Sequence, residues 1–103
     1  MTVVGAFAVL GEANRLRILE LLRGAELSVG ELVDRLGMSQ PAVSKHLKVL
    51  REAGFVSSRI AAQQRFYRIE PEPFAEVELW LAPYRRIWDR HLDALERHLD
   101  DME

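Results

Sequence analysis

The chain has 103 residues, 49% of them apolar and 29% charged, the balance of one globular domain rather than of a disordered or fibrous chain. It has no cysteine, which excludes disulfides, thiolate metal clusters and cysteine nucleophiles. No apolar run approaches the ~18 residues that a membrane span needs. Met1 to Leu10 lacks a basic leader and a cleavage site, so a cytoplasmic protein with no membrane partner is expected.

The net charge of −2 conceals an asymmetry. Residues 1–38 carry four basic and five acidic side chains. Residues 39–68 carry Lys45, Lys48, Arg51, Arg59, Arg65 and Arg68 against Glu52 alone, a net of +5. Residues 69–103 carry four basic and ten acidic side chains, a net of −6. A cationic middle beside an acidic tail points to a polyanionic partner for the middle.

Residues 1–24 read as two N-terminal helices. Ala6 to Leu10 is a short apolar stretch ended by Gly11. Ala13 to Arg23 follows, with Ile18, Leu21 and Leu22 expected on the core side and Leu16, Leu19 and Arg23 on the other; Gly24 stops it. Residues 28–54 read as two more. Ser28 and Glu31 have the spacing of a capping box, in which hydroxyl and carboxylate each satisfy an orphan amide. Val29, Leu32, Val33 and Leu36 then recur at helical spacing up to Gly37. Ser39 is the next N-cap, Pro41 sits in the first turn, and Val43, Leu47 and Leu50 form an i, i+4, i+7 stripe before Gly54. Two helices joined by Gly37-Met38-Ser39-Gln40 have helix-turn-helix spacing, which any αα-hairpin shares.

In residues 55–69 the period changes. Phe55 to Ile60 and Arg65 to Ile69 are rich in β-branched and aromatic residues, with Ala61-Ala62-Gln63-Gln64 between them as a loop. The segment reads as a hairpin, although no Gly or Asn-Gly marks a tight turn. Residues 71–103 open with Pro71 and Pro73 and continue as a long helical tail. Phe74, Val77, Leu81, Tyr84, Trp88, His91, Leu95 and Met102 fall near heptad spacing, and Trp80, Ile87, Leu92 and Leu99 widen the stripe. Pro83 predicts a kink or a break there. The expected fold is mainly α with a small β-hairpin: one winged helix-turn-helix domain over 1–103 with a long helical tail.

The residues then resemble a family. Leu10-Gly-Glu-Ala-Asn-Arg-Leu-Arg-Ile-Leu-Glu-Leu-Leu22 is similar to the opening of the ArsR-type bacterial repressors. Ser39-Gln-Pro-Ala-Val-Ser-Lys-His-Leu-Lys-Val-Leu-Arg-Glu-Ala-Gly-Phe-Val56 is similar to their recognition helix, and Arg65-Phe-Tyr-Arg-Ile69 resembles the second wing strand. The resemblance runs without a gap over about residues 6–70. The tail, with Trp80, Tyr84 and Trp88, looks like the metal-independent branch. The resemblance implies a homodimeric repressor of the winged-helix type, bound to operator DNA near its own promoter and released by an inducer. It also implies dimerisation through the first and last helices. That assigns Phe7, Leu10, Val77, Trp80, Leu81, Tyr84, Ile87, Trp88, His91, Leu92 and Leu95 to the interface.

Physical chemistry gives the DNA-facing residues independently. Val43, Leu47 and Leu50 point to the core, which leaves Pro41, Ser44, Lys45 and Lys48 on the opposite side and Gln40 at the exposed start. Short polar side chains near a helix N-terminus reach base edges in the major groove, and cations hold phosphates. Gln40 and Ser44 are the candidate base readers, Lys45 suits either role, and Lys48 and Arg51 suit phosphate. The amide end at Ser39 can itself hold a phosphate. Arg59 and Arg65, with Gln63 and Gln64 at the tip, are the candidate wing contacts; Arg68 falls on the face opposite Arg65. His46 reads as a packed, hydrogen-bonded histidine.

Other chemistry is sparse. The family's Cys-x-Cys site would fall in Glu26-Leu-Ser-Val-Gly-Glu31, which has no cysteine. Asp89-Arg-His91 matches the start of a second family metal site, but the next histidine is His98, seven residues on instead of eleven. Phosphate loops and nucleophile elbows are missing, so no enzyme and no cofactor are expected. Two alternatives stay open: a winged-helix protein-interaction module, which the +5 segment argues against, and a sensor repressor that responds to zinc or to a small ligand held near Trp80, Tyr84 and Trp88.

Overall fold

The computed structural model describes residues 2–102. The elements run α1 (Val3–Leu10), α2 (Ala13–Leu22), β1 (Leu27–Ser28), α3 (Val29–Leu36), α4 (Gln40–Glu52), β2 (Val56–Ala61), β3 (Gln64–Ile69) and α5 (Glu72–Asp101). The sheet is antiparallel, in the order β1-β3-β2.

Local chemistry sets most of the boundaries. Thr2 Oγ1 accepts from the Gly5 amide and caps α1, and Glu12 Oε2 accepts from the Arg15 amide and caps α2. The Arg15 side chain turns back to donate to the carbonyl of Val9 at 2.6 Å, which satisfies the C-terminal end of α1. The capping box of α3 is complete: the Glu31 amide donates to Ser28 Oγ and the Ser28 amide to Glu31 Oε1, each at 3.1 Å. Gly37 closes α3 at φ +67°, the left-handed conformation in which glycine carries no Cβ penalty. Ser39 Oγ then accepts from the Ala42 amide at 3.3 Å to start α4.

The core is one cluster. Ile18, Leu32, Val43, Leu47, Leu50 and Phe55 are its largest fully buried side chains. The expected stripe of α4 is therefore its buried face. Leu19, assigned to the open side of α2, is buried, and Leu21, assigned to the core, is half-buried. The reason is that α2 is covered on more than one side, by α1, α3, α4 and β3. Phe74 anchors the start of α5 edge-on against Phe55, with ring centroids 5.0 Å apart.

Three further expectations need correction. Residues 27 and 28 form a strand that pairs with Tyr67 and Phe66, so the hairpin supplies the central strand and one edge of a three-stranded sheet. The hairpin loop is two residues, not four: β2 reaches Ala61, β3 begins at Gln64, and Ala62 and Gln63 turn with φ +50° and +65°. Positive φ at both central positions is the type I′ arrangement, whose twist matches the strands, achieved here without glycine. Finally, α5 is continuous through Pro83, which excludes the break and leaves the kink as the remaining form of that expectation. The proline deprives the Leu79 carbonyl of its usual donor, and the helix carries on through the residues on either side.

Candidate nucleic-acid interface

The amino end of α4 and the hairpin face each other across an open cleft of about 530 Å³. It is lined by Gln40 and Ser44 from α4, by Gln63, Gln64, Arg65 and Tyr67 from the hairpin, and by Ser28, Val29 and Gly30 from the start of α3. Five of the residues singled out in the sequence thus meet in one place. Ser39, Pro41, Lys45, Lys48 and Arg51 are exposed on the same helix. Lys45, Lys48 and Arg51 have no carboxylate within 4.0 Å among the described residues, so their charge is presented outward.

Ser28, Val29, Gly30 and Tyr67 are cleft residues that the sequence reading does not assign to the site. The capping box at Ser28 was the available signal, because it marks a helix amino terminus whose free amides suit an anion. Tyr67 gave none, since only the strand register turns it toward the cleft. Cross-strand partners share a face, so Ser58, Ile60, Arg65 and Tyr67 lie on the cleft side of the hairpin and Ser57, Arg59, Phe66 and Arg68 on the outer side.

Arg59 is therefore not brought beside Arg65. It forms an ion pair with Glu26 at 2.5 Å and lies over the Phe66 ring, 5.2 Å from its centroid. Arg68 shares its outer face and donates to Ser57 Oγ at 3.1 Å and to Glu70 Oε1 at 3.2 Å. The Ser57 hydroxyl donates to Glu70 at 2.6 Å. That hydrogen bond lowers the Glu70 carboxyl from its ordinary value; desolvation opposes it, and the charge and hydrogen bond of Arg68 add to the lowering.

His46 is half-buried on the flank of α4, as expected of a packed histidine. Its Nδ1 lies 3.6 Å from Glu12 Oε2, an ion-pair distance too long for the hydrogen bond that was expected. Among the described residues no group of three or more His, Cys, Asp or Glu side chains converges as a metal site.

The expected interface residues lie along α1 and α5. Phe7 meets Trp80 edge-on at 5.2 Å, and Trp80 meets Tyr84 at 4.7 Å. Leu10 and Val77 are half-buried, while Phe7, Trp80, Leu81, Tyr84, Ile87, Trp88, His91, Leu92 and Leu95 are exposed. Trp88 stacks on His91 at 5.7 Å. From Pro83 to Met102 every residue is exposed.

A helix-turn-helix followed by a hairpin wing, with cations on the outward face of the second helix, has close counterparts among known proteins. The family profile for bacterial regulatory proteins of the arsR family matches residues 12–58. The chain is 38% identical to the HTH-type transcriptional regulator Rv2034 of Mycobacterium tuberculosis, an alignment covering 92% of this chain and 86% of that one. The chain belongs to the ArsR family. An ArsR-like transcriptional regulator from Rhodococcus sp. RHA1 superposes with a TM-score of 0.71 at 30% identity, covering 92% of this chain and 90% of that one. The HlyU structure from Vibrio cholerae gives 0.66 at 43% identity, covering 79% and 89%. Its sequence counterpart, the transcriptional activator HlyU, is 49% identical over 64% of this chain and 62% of its own. ArsR membership makes this chain a DNA-binding transcriptional regulator, not an enzyme. No helix among the described residues is long and apolar enough to cross a membrane.

Proposed function

We propose that the chain is a homodimeric, sequence-specific repressor of the metal-independent ArsR branch, acting in the cytoplasm at an inverted repeat near a promoter. The observation that carries this reading is the cleft, in which Gln40 and Ser44 face Gln63, Gln64 and Arg65. The amino end of α4 enters the major groove, where Gln40 suits adenine and Ser44 either base. Lys45, Lys48, Arg51 and the amide end at Ser39 hold phosphates, and Pro41 shapes the contact surface. Gln63, Gln64 and Arg65 engage the neighbouring backbone from the wing. Arg59, already shared with Glu26 on the outer face, contributes less.

The dimer reading is supported by α5, where Ile87, Trp88, Leu92 and Leu95 lie exposed on one helix beside Trp80 and Tyr84. An aromatic side chain buries ~150–250 Å² when covered, so a second copy gains much by covering this stripe. Two linked heads then read half-sites about 34 Å apart. The metal-independent assignment is supported by Leu27 and Ser28: one is buried in the core and the other caps α3, in the stretch where the family's thiolates would stand.

Lys48→Ala weakens binding to every duplex and lowers the magnitude of the slope of log affinity against log salt by about 0.9 for each phosphate no longer neutralised. Gln40→Ala also changes the preferred sequence. Titrations on a panel of operator variants test both, and identical preference profiles for the two proteins would contradict the assignment.

A further inference from the structure

We propose that Ile60 is a specificity-determining residue of the wing, packing against the minor groove that flanks each half-site and favouring A·T pairs there. The inference rests on the DNA-binding reading above and adds a contact of different chemistry.

Ile60 is 69% exposed. Among the described residues it is the one exposed large aliphatic or aromatic side chain between Ala25 and Glu70; the others lie on α1, α2 and α5. It stands on β2, an edge strand, directly opposite Arg65. The register puts it on the cleft side of the hairpin with Arg65 and Tyr67, both of which line the cleft. Arg65 reaches along that face to Ser58 Oγ at 3.4 Å, so the cation lies beside the apolar side chain. The core does not need Ile60, because the buried positions of the same face are Val56 and Tyr67, nearer the base of the hairpin.

DNA geometry supplies the occupant. In a duplex, a single sugar-phosphate strand separates a major groove from the next minor groove. A cleft with a recognition helix on one wall and a hairpin on the other suits that strand. With α4 in the major groove, the cleft face of the hairpin looks onto the minor groove. Its walls are deoxyribose C–H groups, and apolar wedges are a recurrent way of engaging it. An A·T floor offers only the adenine N3 and thymine O2 acceptors, whereas a G·C pair adds the guanine N2 amino donor. An apolar side chain leaves that donor without a partner. A·T tracts also narrow the groove and bring its walls closer.

The test uses the full chain and a duplex recovered by selection from a random library, with the flanking pairs set to A·T, G·C or inosine·C. Inosine removes the N2 amino group and nothing else. The expected result is that A·T and inosine·C flanks bind about fivefold tighter than G·C flanks. Ile60→Thr keeps the branched strand residue; it should bring that ratio close to one while leaving the salt slope and thermal midpoint unchanged. Arg65→Ala should instead lower the magnitude of the slope by about 0.9 for each phosphate that the wing ceases to neutralise. The proposal is overturned if Ile60→Thr keeps the wild-type ratio, which would assign the preference to Arg65, or if the wild type ignores its flanks. A wild type that binds no duplex saturably would overturn the DNA-binding reading as well.

Discussion

Helices α4 and α5 are both amphipathic, yet they end up in opposite environments. The 13 residues of α4 include Val43, Leu47 and Leu50, all at 0% exposure, and its polar face is left for a partner. The 30 residues of α5 include a single buried one, Pro73, near its start. At 1.5 Å per residue α5 is about 45 Å long, and it accounts for most of the molecule's 63 Å length. The head completes its own core. The tail carries an apolar stripe that the described residues leave exposed. On the proposed reading, the first region holds a helix still against DNA and the second joins two such heads.

The sharpest way to break that contrast is to truncate both stripes. Leu47→Ala removes a side chain with 0% exposure and should destabilise the domain by about 3 kcal/mol in denaturant unfolding. Leu95→Ala, at a side chain 49% exposed, should change the unfolding of the dissociated protein by less than about 0.5 kcal/mol. Equal losses would mean that α5 folds onto its own head. Next in size is Trp88→Glu, which puts a charge on the stripe. Sedimentation should show a monomer, and affinity for a two-half-site duplex should fall about a hundredfold as the second head is no longer tethered. Unchanged sedimentation would remove α5 from the interface.

The smallest effect concerns the outer face of the wing. The Glu70 carboxyl titrates lower in the folded chain than its ordinary value of 4.5, first because Ser57 donates to it and then because Arg68 adjoins it. A depressed folded value means the contribution to stability is present above pH 4.5 and is lost as the pH falls through the folded value. Glu70→Gln should slightly flatten the acid limb of a stability-against-pH curve and leave the neutral region nearly unchanged. A variant that alters stability equally at all pH values would contradict this account.

Much of the head was legible because its signals are local. Ser28 with Glu31, Gly37, Ser39 with Pro41, and the Val43-Leu47-Leu50 stripe each specify a boundary or a face within one or two turns. The errors arose where pairing is non-local. Two residues at Leu27 and Ser28 have no period to detect, so β1 exists only through its partners on β3. The wing turn lacks a glycine, and only the register of β2 against β3 fixes Ala62 and Gln63 as the two turn residues. The same register separates Arg59 from Arg65 and moves it to the outer face beside Glu26. For Pro83 the local rule allows a kink or a break, and the helix continues through it without a break. The cleft residues Gln40 and Ser44 were legible from the wheel of α4, whereas Tyr67 and Ile60 acquire their position from strand pairing.

The central claim is that two α4 amino ends, held by paired α5 helices, read duplex DNA. Selection of duplexes from a random library by the purified wild-type protein, followed by sequencing, tests it most directly. The account predicts enrichment of an inverted repeat whose half-sites are centred about one helical turn apart. Enrichment of an isolated, unrepeated site, or of no sequence at all, would contradict it.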